Sequence, residues 1–349
     1  MRNMKKELNK TAINHLLRRR RAPLAMSIEL TNRCPFNCPH CYLSKENDTL
    51  LPLNKVISCI DQFVAMGGKK LTLTGGDPLL HPSFIDIYNY AFERDLDITV
   101  FISGFVLSEK ILFLWKEKRP FKVEITLYSS TDEGYYNITK KKNAFSTVIH
   151  NINSLKSIGV PVKGKCFVGQ FNADDVLTIV EMIKNLGISD EKAQVDYHIL
   201  PRRFMDRSVQ KYQVDIEKAI EIDLSVSPEN REIWKQGICD TSITDPSDPL
   251  FQCGAGRYSF SVLSNNDMQL CTFAYFSAQS LDTHSVNDVW KSFEYYINLQ
   301  AKDSCICNCP LSKICKVCPV MGYLSTGSLY GKDPFLCELA QEKRRVITG

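Results

Sequence analysis

The chain contains no run of 18 or more apolar residues, which excludes a helix long enough to span a bilayer. Its first residues are basic but lack the apolar stretch of a secretory signal. There is no internal repeat beyond an alternation of strand and helix patterns and no long low-complexity tract, which excludes a repeat array. Charge of one sign is also scarce. The 43 Lys and Arg nearly balance 39 Asp and Glu, for a net +4. Residues 1–21 hold eight basic side chains against one Glu, so the remainder is slightly acidic. Nucleic-acid binding needs a basic face, and only this end offers one. We therefore expect no nucleic-acid partner and no membrane. The arm, residues 18–21 above all, reads either as a solvated helix end or as a docking site for an acidic peptide or protein.

What is present is enough apolar residue, 44% of 349, for a real core and about two domains. There are also fourteen cysteines. Without a signal sequence, that number argues for metal rather than disulfides. The expected location is the cytoplasm, and the loaded protein is expected to be oxygen-sensitive.

Residues 31–42 read Thr-Asn-Arg-Cys-Pro-Phe-Asn-Cys-Pro-His-Cys-Tyr. Cys34, Cys38 and Cys41 form C-x3-C-x2-C. A structural zinc wants four protein ligands, and this loop has three sulfurs with only His40 as a fourth. Thiolates also select iron–sulfur clusters. A cubane held by three cysteines keeps one iron open to a small molecule. A second stretch, Gly75-Gly76-Asp77-Pro78, follows the apolar run from Leu71 to Thr74, and its glycines allow close backbone approach to a ligand. The other reading of this stretch is an ordinary strand-to-helix turn.

Together the two stretches resemble the radical S-adenosylmethionine (radical SAM) signature and its Gly-Gly-Glu-Pro motif, here with Asp for Glu. The resemblance implies a [4Fe–4S] cluster on Cys34, Cys38 and Cys41 whose open iron chelates S-adenosylmethionine. Reductive cleavage then gives a 5′-deoxyadenosyl radical that abstracts hydrogen.

Periodicity places strands near residues 25–30, 70–74, 97–103, 121–127, 160–168 and 193–200. Helical stripes fill 54–66, 84–94, 108–117, 145–155 and 176–183. Such alternation implies a parallel sheet with right-handed crossovers. The resemblance makes it a partial (β/α)6 TIM-like barrel with its site at the C-terminal strand ends. The implied cofactor contacts are Tyr42, Gly75, Gly76, Asp77, Pro78, Ser103, Thr126, Ser129, Lys165 and Leu200. Lys163 shares a strand face with Lys165, and a cation there is expected to pair the methionine carboxylate. Cys59 reads as a packed thiol. The expected divisions are a basic arm (1–24), the barrel (25–205), a charged bridge with one or two helices (206–252) and a cysteine-rich domain (253–349). Tyr212 and Trp234 of the bridge read either as packing residues or as substrate contacts.

The last part carries eight cysteines and resembles the SPASM extension of radical SAM enzymes. Cys253 opens it, residues 264–271 form a hairpin ending at Cys271, and Cys309-x5-Cys315-x2-Cys318 with Cys337 completes it. Relatives often have C-x2-C before the x5 gap; here Ile306 is flanked by Cys305 and Cys307. By resemblance Cys253, Cys271 and Cys318 belong to one auxiliary [4Fe–4S] cluster and Cys309, Cys315 and Cys337 to another, with Cys305 and Cys307 divided between them. A pair of zinc sites is the other reading.

SPASM enzymes commonly mature ribosomal peptides by crosslinking or epimerisation. Tyr128, Tyr135, Tyr136, Ile138, Thr139 and Phe145 resemble a pattern in such maturases, although Ser129 replaces a Gly and Lys140 follows Thr139. The implied partners are a peptide substrate, an electron donor such as flavodoxin or ferredoxin, and a separate leader-binding protein, since the residues ahead of Ala25 leave no room for one. The alternatives are a small-molecule enzyme, such as one of haem-pathway chemistry, and a non-enzymatic iron–sulfur or zinc protein. Thr272 stands where sulfatase-maturing relatives have an Asp base, which disfavours that branch. An epimerase needs a thiol to return hydrogen. Cys59, Cys166 and Cys239 remain after cluster assignment; Cys239 is the best placed, with a plain packed thiol as its other reading.

Overall fold

The computed structural model describes residues 21–43, 48–189, 194–240, 245–307, 309–315 and 317–349. Most of the basic arm, with the arginines at 18–20, lies outside the described residues. Six parallel strands run in sequence order: β1 (Ala25–Glu29), β2 (Lys70–Thr74), β3 (Asp97–Ile102), β4 (Lys122–Leu127), β5 (Val162–Phe167) and β6 (Gln194–Asp196). Helices α1 (Leu53–Ala65), α2 (Phe84–Phe92), α3 (Glu109–Glu117), α4 (Asp132–Thr139), α5 (Ala144–Ser157) and α6 (Val176–Asn185) fill the crossovers. This is the expected partial (β/α)6 barrel.

Alternation within each strand builds two faces. In β2, Leu71 and Leu73 are buried against the helices while Thr72 and Thr74 line a cavity on the other face. In β4, Val123, Ile125 and Leu127 are buried, and Glu124 and Thr126 take the inner face. On α1 the core side chains are Val56, Cys59, Ile60 and Phe63, at 3.6-residue spacing. Burying each large apolar chain contributes about 1.5–3 kcal/mol. Gly67 ends the helix at φ +89°, the left-handed turn that glycine takes most easily. Burial pushes the Cys59 thiol up to about 12, consistent with a packed thiol.

The bridge contains two helices, α7 (Ile216–Val226) and α8 (Asn230–Cys239). Trp234 is buried beneath the ammonium of Lys343, which lies 4.7 Å from its ring centre, so it packs. The hairpin forms from β7 (Ser259–Val262) and β8 (Asp267–Gln269), with Asn266 at φ +67° in the turn. A short β9 (Gln279–Ser280) pairs with β8, and helices α9 (Val286–Ser292), α10 (Glu294–Ile297), α11 (Pro319–Thr326) and α12 (Pro334–Thr348) follow.

Two features differ from expectation. Helix α4 has no clear apolar stripe, yet Thr131 caps it by accepting from Gly134 N–H. And β7 pairs in parallel with β1, so one sheet runs in the order β6-β5-β4-β3-β2-β1-β7-β8-β9. Among the described residues no helix is long and apolar enough to cross a membrane.

Candidate active site at the strand ends

The loop after β1 is stitched to the turn after β2. Thr31 O accepts from Gly76 N–H and Arg33 O accepts from Asp77 N–H, each at 2.7 Å. A Cβ on Gly75 would stand 2.3 Å from Thr31 O, and one on Gly76 2.3 Å from Arg33 O. Both glycines are therefore required by the close approach of the chain's own backbone, whatever ligand they face. They do line the cavity.

That cavity, of about 440 Å³, lies at the strand ends. Cys34, Cys38 and Cys41 are all on its wall. Aromatic packing fixes their loop: Phe36 lies 5.7 Å from Phe105, and His40 stacks on Phe167 at 4.6 Å between ring centres. Burial drives the Tyr128 phenol well above its ordinary range, and the thiols of Cys38, Cys34 and Cys41 around it add to the rise. All three thiols therefore lie near the Tyr128 phenol. Hydroxyls of Ser27, Thr72, Thr74, Ser103 and Thr126 supply the polar groups of the barrel side. Asp196, His198 and Thr272 face them from the rim. No Lys or Arg is on the wall among the described residues.

Of the expected contacts, Tyr42, Gly75, Gly76, Ser103, Thr126 and Leu200 are on the wall. The others are placed elsewhere. Pro78 is buried in the short helical turn that Asp77 caps. Asp77 is fully buried and accepts from Leu79 N–H, Ser103 N–H and the Ser103 hydroxyl, so from behind the wall it positions Ser103. Burial pushes its carboxyl up to about 6 against those three donors. Ser129 donates to Asp175, the residue before α6. Lys165 turns into the barrel but pairs with Glu124, with its ammonium 4.3 Å from the Phe101 ring centre. Burial would raise Glu124, but Lys122 and Lys165 outweigh it and hold the carboxyl below its ordinary value. Cys239 is exposed at the end of α8 and is not on the wall.

Some groups around the site carried no motif. Glu29, 2% exposed, ends β1, pairs with Arg203 and accepts from Ser264 Oγ–H at 2.6 Å. The only signal for it is an acid closing an apolar strand. His198 Nε2 stands 3.5 Å from Asp333 Oδ1, both side chains being buried. Asp333, which caps α12, accepts from Ser325 Oγ–H and Leu336 N–H. These contacts join barrel to C-terminal domain and no local pattern announces them.

Seven of the eight C-terminal thiols, all but Cys307, fall into two groups. Burial pushes Cys271 up to about 12, and Cys318 and Cys253 add to it. Burial pushes Cys315 up to about 11, and Cys337, Cys305 and Cys309 add to it. All fourteen cysteines are thiols rather than disulfides. Among the described residues no three His, Cys, Asp or Glu side chains converge as ligands of one metal ion.

Residues 28–189 match the family model of the radical SAM superfamily. The chain carries a radical SAM domain. Among curated proteins it is similar to the AdoMet-dependent heme synthase of Methanosarcina barkeri, 21% identical over 343 residues, covering 90% of this chain and 96% of that one. It is also similar to the PqqA peptide cyclase of Ruegeria pomeroyi, 27% identical, covering 51% of this chain but only 48% of the cyclase. The chain thus spans about half the length of that peptide enzyme. Its fold matches Streptococcus suis SuiB bound to precursor peptide SuiA, with a TM-score of 0.71 at 14% identity, over 91% of this chain and 76% of that one. The radical SAM domain runs from within β1 to the loop after α6, so the cysteine loop and the Gly-Gly-Asp-Pro turn both fall inside it.

Proposed function

We propose that the protein reductively cleaves S-adenosylmethionine and uses the resulting radical to abstract hydrogen from a peptide, as a step of ribosomal peptide maturation in the cytoplasm. The residues on the wall suit that cofactor: three thiols from one loop can hold a cluster with one open iron. When bound, the cluster and S-adenosylmethionine supply the electron and the 5′-deoxyadenosyl radical. The chain's own contribution is to bind and exclude water. Gly75 and Gly76 bring the turn against the cysteine loop, Thr126 offers a hydroxyl, and Phe101, Tyr128 and Phe167 keep the interior apolar. The C-terminal thiols fit two auxiliary clusters, Cys305 joining Cys309, Cys315 and Cys337, and Cys253, Cys271 and Cys318 forming the other group.

The observation that carries the peptide reading is the similarity of half of this chain to the PqqA peptide cyclase. An aromatic and hydroxyl-lined wall suits a peptide side chain. The full-length similarity to a heme synthase favours the second reading, a carboxylated small molecule. Anaerobically reconstituted protein should be given S-adenosylmethionine, a reductant and, in parallel, peptides encoded beside its gene and a propionate-bearing tetrapyrrole. Mass change of a peptide with matching 5′-deoxyadenosine supports the first reading. Conversion of the tetrapyrrole alone overturns it. No cleavage with any substrate overturns both.

A further inference from the structure

The cysteine loop has two halves, and different elements hold them. The first half, at Thr31 and Arg33, hangs from the turn after β2 through the backbone bonds described above. The second half is held from the bridge. Residues 202–206 form a tight turn in which Arg202 N–H donates to Asp206 O at 2.8 Å and Met205 adopts φ +62°. That backbone is unusual for a residue with a side chain, so the turn's shape is imposed by its surroundings. From it, Arg202 Nε–H donates to Cys41 O at 3.2 Å and Nη2–H to Pro39 O at 3.5 Å. Arg203 N–H donates to Tyr42 O at 3.1 Å. The Arg203 guanidinium is anchored in turn by Glu29, the last residue of the strand that leads into the loop.

Carbonyls of three residues out of four therefore face one turn. In a planar trans peptide the C=O and the following N–H point to opposite sides. The N–H groups of His40, Tyr42 and Leu43 are thus turned away from the arginines. A guanidinium also stays charged at any accessible pH, and that of Arg202 lies against the peptide of Cys41 by its Nε, with Asp206 Oδ2 a loose partner 3.8 Å from its Nη1.

We propose that Arg202 and Arg203 are positioning residues that hold the second half of the cysteine loop in its ligand-bearing shape before any cluster is present, and that Arg202 favours the reduced, more negative state of a cluster bound there. This rests on the reading of Cys34, Cys38 and Cys41 as cluster ligands.

The test starts with the full chain, iron-free and thiol-reduced, followed by amide hydrogen exchange. Arg202→Gln should speed exchange in residues 40–43 about tenfold, the effect of losing one hydrogen bond from a charged group. Strands β2 to β4 should exchange as before. Arg202→Lys keeps the charge but cannot reach two carbonyls as a rigid fork, so it should restore protection only in part. Arg207→Gln is the control: that side chain belongs to the same stretch but donates to Leu324 O and Ser325 O. Unchanged exchange in Arg202→Gln, or the same acceleration in Arg207→Gln, overturns the clamp. After anaerobic reconstitution, a redox titration followed by electron paramagnetic resonance reads the second half. Arg202→Gln should lower the reduction equilibrium of the catalytic cluster about tenfold, or about 59 mV for a one-electron couple, and Arg202→Lys should not. An unmoved midpoint overturns the electrostatic half. Exchange is read without iron, so failure of the clamp is distinct from failure of the cluster assignment, which cysteine replacement tests.

Discussion

Asp77 offers a measurement whose sign comes from the structure. The residue is fully buried, and its carboxyl is pushed from the usual 3.8 to about 6 by that burial, in spite of donors from Ser103 and Leu79. A rise of this size corresponds to ~3 kcal/mol at about 1.36 kcal/mol per pH unit. Between the two values the fold binds a proton that the unfolded chain has released, so stability falls as pH rises. The contribution is fully present below 3.8 and is lost as pH passes about 6. Asp77→Asn cannot titrate. It resembles the protonated acid, with one oxygen to accept and one NH2 that must face a backbone donor. Urea unfolding of the iron-free, reduced chain, from about pH 4 to about pH 8, gives the stability of each form. The difference, original chain minus variant, should fall by about 2–3 kcal/mol across this range. A flat or slightly rising difference would mean that burial does not lift the carboxyl above 3.8, and the reasoning would be refuted.

Replacing Cys34, Cys38 and Cys41 together with Ala should abolish 5′-deoxyadenosine formation while the C-terminal thiols still take up iron; unimpaired cleavage would sink the cluster assignment. Cys305→Ala should alter the Mössbauer signal of the auxiliary cluster shared with Cys309, Cys315 and Cys337, and Cys307→Ala should leave that signal intact. The opposite pattern would reverse the allocation. Arg21→Ala should lower stability by about 1–3 kcal/mol, because its guanidinium donates to Gly256 O and lies 4.6 Å from the Trp290 ring centre. An unchanged urea midpoint would return Arg21 to the role of free docking charge.

The cysteine loop and the barrel are legible because their signals are local. The cysteine spacing sits within one loop, and strand and helix periods repeat within windows of a dozen residues. The hairpin at Asn266 was legible for the same reason. What sequence could not carry was pairing at a distance. Lys165 looked like a free cation on an inner face, but its partner Glu124 lies on the neighbouring strand, forty-one positions away. Ser129 looked like a cofactor hydroxyl, but Asp175 claims it. The motif at the β2 turn points to a ligand and does not reveal that the atoms nearest its glycines are Thr31 O and Arg33 O. Arg21 read as part of a free arm; its partners lie more than two hundred residues on. Helix α4 gives no such signal: its sequence, Asp-Glu-Gly-Tyr-Tyr-Asn-Ile-Thr, has no apolar stripe, and it owes its start to the Thr131 cap.

The pairing of β7 with β1 bears on whether the barrel is a unit by itself. Strand β1 ends in the cysteine loop, so whatever fixes β1 fixes the thiols. One edge of β1 is covered by β2 and the other by β7, in register from Ala25 opposite Ser259 to Ile28 opposite Val262. Phe260 of β7 is buried against Phe63 of α1, at 5.9 Å between ring centres, and against Trp290. Ser264, just beyond β7, completes the hydrogen bonding of the buried Glu29. Ending the chain at residue 252 would remove all of these at once. The loss of Phe260 and Val262 is about 1.5–3 kcal/mol each, and β1 becomes an open edge that can pair with another chain. A chain of residues 1–252 should therefore unfold at lower urea than the full protein and associate in gel filtration, even with the cysteine loop and its turn intact. If it is monomeric with the full-length unfolding midpoint, β7 is only laid against the barrel, and the cysteine loop does not depend on the C-terminal part for its shape.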